Sequence, residues 1–184
     1  MRVAILTLVT TLAAPWSLAG ERPAFQALVL EDQQALLSWL APRCVEPGGG
    51  GEAGPILRER PGRLGPALLE AWELGPTSDL LDARRRQLEG ELEVRRDLLG
   101  SEEARAALSP ELLEVELRAT EDPAAFVARG LERYALEWRA ASLTGLGANC
   151  ARDLRGFLEG LAEGEDPGQR LAALEALAAL DRCE

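Results

Sequence analysis

Five side chains between residues 122 and 147, Val127, Leu131, Tyr134, Trp138 and Ala141, follow one another at steps of four, three, four and three. That rhythm sets them on one stripe of an α-helix. The stripe holds the only tyrosine and one of the four tryptophans in a chain with few other large side chains. The rest of the chain is therefore expected to pack on it. Asp122 is placed to accept from the free N–H groups of the first turn and Pro123 to occupy the first helical position. Gly145 and Gly147 are available to end the helix in a left-handed conformation.

Further helices are expected on both sides. Residues 23–41 carry Phe25, Leu28, Val29, Leu36, Trp39 and Leu40 at roughly helical spacing, broken by the polar run 31–34. This fits one bent helix or a short arm followed by a helix. Residues 42–66 contain five prolines and a run of four glycines, and read as a flexible loop. No G-K-[ST] follows those glycines and the chain has no lysine, so they are not a phosphate-binding loop. A short helix is expected to end at Gly75. A long one, capped by Thr77 or Ser78, should run to about Leu99 with Leu81, Leu88, Leu92 and Leu99 in a narrow stripe. Asp82 with Arg86 and Glu91 with Arg95 are spaced as favourable pairs on it. Ser109-Pro110 opens the next helix, Asn149 is read as the cap of another, and Asp166-Pro167 begins the last. That last helix carries Leu171, Leu174, Leu177 and Leu180 among alanines, apolar over most of its circumference. Such a helix is expected to be buried or docked on a partner, and these four leucines are the candidate partner surface.

The fold class expected is all-α: an irregular bundle, or a short helical-repeat-like array, of about seven helices. The divisions are a signal peptide (1–19), an N-terminal helical segment (20–41), the Pro/Gly-rich loop (42–66) and a helical domain (67–184). The signal peptide reading rests on Arg2, an apolar run over residues 3–14, and Ser17-Leu18-Ala19 before the expected cleavage at Gly20. It implies export, to the periplasm or outside, with no membrane span left after cleavage.

Composition narrows the chemistry. All twenty basic residues are arginine, and residues with A/T-rich codons are scarce, which reads as the coding bias of a GC-rich bacterium. There is no histidine, so Ser-His-Asp and Cys-His catalysis and His-ligated zinc are excluded. A net charge of −11 argues against nucleic acid and anionic lipid as partners. Residues 163–168 depart from the spacing of a calcium loop, and no metal or cofactor is expected. Glu132 and Glu137 share the central helix, but among 31 acids such proximity is no evidence of a carboxylate pair. Tyr134 and Trp138 suit a core better than a ligand pocket.

Three cysteines in an exported chain imply one disulfide and one spare thiol. An antiparallel hairpin turning near Glu165 would bring Cys150 and Cys183 to the same end, which favours that pair. A bridge from Cys44 to either one is the alternative.

One stretch resembles a known family. Asp166, Pro167, Arg170, Ala173, Ala176, Leu177 and Leu180 resemble the first helix of a HEAT-type repeat, and Glu-Asp-Pro at 121–123 recurs 44 residues on at 165–167. The resemblance spans about fifteen residues, and the apolar positions after Pro123 do not align with those after Pro167. It implies a protein-binding scaffold. The expected function is a non-enzymatic binding or structural protein of a bacterial cell envelope with a protein partner. A periplasmic chaperone or adaptor is the alternative, and a carboxylate-dependent cell-wall hydrolase the second.

Overall fold

The computed structural model describes residues 22–41 and 50–183, with side chains from residue 54 onward in the second stretch. The signal peptide and Cys44 lie outside the described residues. Within them the chain is all-helical: ten α-helices and one 3-10 turn, with no strand. In order these are α1 (Pro23–Gln26), α2 (Leu30–Leu40), α3 (Gly50–Glu59), α4 (Gly65–Leu74), α5 (Ser78–Gly100), α6 (Glu102–Ala107), α7 (Pro110–Glu121), α8 (Pro123–Ala148), the 3-10 turn Arg152–Leu154, α9 (Arg155–Ala162) and α10 (Pro167–Leu180).

The count exceeds seven for identifiable reasons. The N-terminal segment is two helices; Gln33 Nε2 donates to the carbonyls of Phe25 and Leu28 and fixes the bend between them. Glu70 of α4 accepts from the N–H groups of Ala24 and Phe25, supplying the acceptors that the first turn of α1 lacks. The polar run 31–34 is not a break, because Asp32 sits inside α2, fully buried. Arg60 hydrogen-bonds its Oδ1 and bridges to Glu31, while Arg63 Nε lies 3.3 Å from Oδ2 at ion-pair distance but off hydrogen-bond geometry.

The Pro/Gly-rich stretch is not all loop: α3 occupies Gly50–Glu59 with Pro55 inside it. Gly54 precedes that proline and has no Cβ for the ring to strike, which removes part of the usual objection. Leu57, completely buried, ties α3 to the core. Tertiary burial has overridden weak local propensity.

Thr77, Ser101, Ser109, Asp122 and Asp166 each accept from the N–H three residues on, capping α5, α6, α7, α8 and α10. Gly75, at φ 69°, ends α4. The recurring Glu-Asp-Pro is thus a recurring cap; the helices it opens differ, 26 residues for α8 and 14 for α10.

The core gathers around the second half of α8. Tyr134, Trp138, Leu143 and Leu146 pack with Leu36 of α2, Leu57 of α3, Leu68 of α4, Leu158 of α9 and Ala173 and Ala176 of α10. Trp138, 1% exposed, donates its indole N–H to Ala71 O at 2.9 Å, so its only polar group is satisfied inside. Trp39 donates to Ala141 O at 2.7 Å. Gly145 and Gly147 do not end the helix, which runs to Ala148. They let neighbours close in. A Cβ on Gly145 would lie 2.6 Å from Leu68 and 2.9 Å from the Trp39 indole nitrogen; one on Gly147 would lie 2.5 Å from the backbone oxygen of Ala176.

The first half of α8 packs more thinly, against α5 and α7, through side chains such as Leu88 and Leu92, and none of residues 123–133 is buried. On α5, Glu91 pairs with Arg84 rather than Arg95, while Arg95 reaches Glu116 of α7 and lies over the Phe126 ring. Asp82 accepts from Arg85. A pairing rule for one helix cannot foresee a partner on the next.

Candidate functional site

The structure bonds Cys150 to Cys183, with Cα atoms 5.9 Å apart. The local backbone explains how. α8 ends in a Schellman motif: Cys150 N–H donates to Gly147 O and Ala151 N–H to Leu146 O, with Cys150 left-handed at φ 54°. Glycine usually holds that position, and a side chain there costs about 1 kcal/mol. Here the side chain is required, because it forms the bridge. Closing a loop of this length, 33 residues apart in sequence, stabilises the fold by about 3.5 kcal/mol in the chain-entropy account.

Asn149, the residue before it, is not a helix N-cap. It is fully buried and its side chain accepts from Leu64 N at 2.9 Å and donates to Leu57 O at 2.7 Å and Arg60 O at 2.8 Å. Its own carbonyl accepts from Gly62 N. One side chain therefore pins the α3–α4 turn to the end of α8, and every polar group it brings inside has a partner. Arg155 at the start of α9 is raised above its ordinary pKa by its hydrogen bonds to Asp181 and Glu159, closing the same end of the molecule.

The four leucines of the candidate partner surface separate. Leu171 and Leu174 are 60% and 50% exposed, Leu177 is half-buried, and Leu180 is in the core. The buried face of α10 is the alanine face, Ala172, Ala173 and Ala176, and the backbone of Ala176 lies against Gly147. Leu180 therefore leaves the candidate surface and Leu171 and Leu174 remain on it.

Other exposed apolar side chains lie on α7 and α5. On α7, Leu112 and Val115 are 55% and 57% exposed and Leu117 is also exposed; Ala119 is its one buried residue. Val94 and Leu98 of α5 are also exposed, one turn apart. A groove of about 650 Å³ runs between α5 and the first half of α8. Leu92, Val127 and Leu131 line it with Arg85, Glu89, Glu93 and Arg96 on the α5 side. Glu89 and Glu93 are both exposed on one wall, one turn apart, and the α8 wall offers no carboxylate to face them. A hydrolytic pair must flank the bond it cleaves, so this groove gives that chemistry no support. Glu132 and Glu137 are exposed on α8, and Tyr134 and Trp138 are in the core.

A second cleft, of about 840 Å³, opens where the ends of α8 and α10 meet α3. Trp39 and the disulfide line it together with Arg58, Arg152 and Arg182. Sequence reasoning missed it because these arginines are scattered among seventeen others and belong to three separate segments. The one available signal was the Cys150–Cys183 pairing, which brings 152 and 182 side by side.

Among the described residues no cluster of three or more His, Cys, Asp or Glu is placed to hold a metal ion, and no helix is long and apolar enough to cross a membrane. No protein-family model matches the chain, and neither a curated protein nor a solved structure matches it.

Proposed function

We propose that the chain is an exported helical binding protein of a bacterial cell envelope, working through a protein–protein surface rather than through catalysis. The observation that supports this most is the outward apolar face of α7, Leu112 with Val115. Large apolar side chains left outward on one helix face of an otherwise acidic protein are a usual mark of a contact site. Export is the reading of residues 1–19 and is tested with the rest. The mature protein is expected in the envelope fraction with Gly20 at its N-terminus, and an intact Met1 in the cytosol would remove that part. A tagged protein purified from that fraction is expected to bring a stoichiometric partner, and L112E/V115E to lose it while keeping its circular dichroism. Retention of the same partner by the variant would overturn the assignment of this face.

The groove between α5 and α8 supports a second reading, a periplasmic chaperone or adaptor that takes an amphipathic segment on its apolar floor. The two readings separate in an aggregation assay. A chaperone suppresses aggregation of unrelated unfolded clients at near-equimolar ratio, whereas a dedicated binding protein does not.

A further inference from the structure

We infer that the cleft beside the Cys150–Cys183 disulfide is a binding site for a small organic anion, a carboxylate or phosphate carried on a flat apolar body. The site is separate from the partner face of α7. Three arginines line it, from α3, from the turn after α8 and from the segment after α10, and among the described residues no Asp or Glu does. In a chain of net charge −11 this is the reverse of the general surface. Carboxylates are abundant enough to neutralise arginines elsewhere: Arg155 holds Asp181 and Glu159, and Arg60 holds Glu31 and Asp32. Arg58 and Arg182 have no ion pair with any described residue, and Arg152 donates to the Cys183 carbonyl.

Like charges brought together repel, and an anion between them relieves that repulsion with charge-assisted, forked hydrogen bonds. The remaining wall sets the kind of anion. Trp39 is held in place by its bond to Ala141 O and lines the cleft. Below it the disulfide fixes the ends of α8 and α10, so the arginines of the last two segments stand on a braced frame. A bare inorganic ion would use the arginines and leave the apolar wall wet; an anion with a ring would use both.

The test is calorimetric titration of the full mature protein with 2-naphthoate, phenyl phosphate and inorganic phosphate, followed by NMR of the arginine Nε–Hε signals. Saturable binding of at least one aromatic probe is expected, at least about tenfold tighter than inorganic phosphate. Shifts should be confined to Arg58, Arg152 and Arg182. Whether naphthoate or phenyl phosphate binds more tightly assigns the head group. R58Q/R182Q removes only exposed side chains and is expected to weaken binding at least about tenfold with an unchanged melting temperature. R58Q alone serves if the double variant is poorly folded. Absence of saturable binding by both aromatic probes, equal affinity for inorganic phosphate, or binding unaffected by the arginine substitutions would each overturn the proposal.

Discussion

The two halves of α8 share one helix and one stripe, and they behave as two different materials. From Tyr134 onward the stripe is core: aromatic rings satisfied inside, glycines admitting α4 and α10 to van der Waals distance, and Asn149 and the disulfide fastening the end. From Pro123 to Arg133 the same stripe, Val127 and Leu131, lines an open groove and rests on a single layer of α5 and α7. Periodicity along a helix marks which face is apolar. What that face meets is set by how many layers of chain return to cover it.

The sharpest way to break the comparison is to truncate one stripe residue in each half. Trp138→Ala should cost about 3–5 kcal/mol in urea denaturation, whereas Leu131→Ala, half-buried in the groove, should cost about 1 kcal/mol. Equal losses would erase the distinction.

Asn149→Ala comes next. It strands the Leu64 N–H and two carbonyls in the interior, and a loss of about 2–4 kcal/mol is expected from thermal unfolding.

The glycines then grade the comparison with one substitution repeated. Each change to alanine inside a helix gains about 1 kcal/mol of propensity, so packing decides the sign. At Gly147 the new methyl meets the backbone of α10, and a net loss of about 2–3 kcal/mol is expected. At Gly130 it meets the flexible end of Leu88, and the result should fall within about 1 kcal/mol of neutral. At Gly90 of α5 it meets nothing, and the protein should gain up to about 1 kcal/mol. Matching melting temperatures across the three would contradict the packing described.

The smallest effect belongs to α7. Glu111 is held below its ordinary pKa of 4.5 by backbone N–H donation in the first turn and by the Ser109 hydroxyl. A depressed carboxylate pKa stabilises the fold above the unfolded value, and that contribution disappears as pH falls through the lower folded value. The stability difference between wild type and E111Q should therefore shrink as pH drops below about 4.5, with its sign favouring wild type at neutral pH.

Much of this was legible in the residues. Caps at Thr77, Ser109, Asp122 and Asp166 follow from side chains that satisfy their own backbone, and the stop at Gly75 from a positive φ that glycine adopts freely, effects confined to a few residues. What escaped depends on approach distance between distant segments. Gly145 and Gly147 read as helix stops because a sequence does not show that α4 and α10 press on them. α10, apolar all round, carried no periodic signal, and the close approach of its Ala176 backbone to Gly147 is a tertiary fact. α3 was hidden behind Pro55 and the glycines, since the burial of Leu57 that holds it is a tertiary fact. The arginine cleft was invisible for the same reason: Arg58, Arg152 and Arg182 become neighbours only after the chain closes.

Hydrogen–deuterium exchange along α8 tests the central claim directly, because it reads the stability of each turn of one continuous helix. Amides of residues 134–148 are expected to exchange only through global unfolding, with a free energy equal to that from denaturation, while those of residues 127–133 open at a markedly lower free energy together with α7. Uniform protection from end to end would contradict the account and make α8 one structural unit.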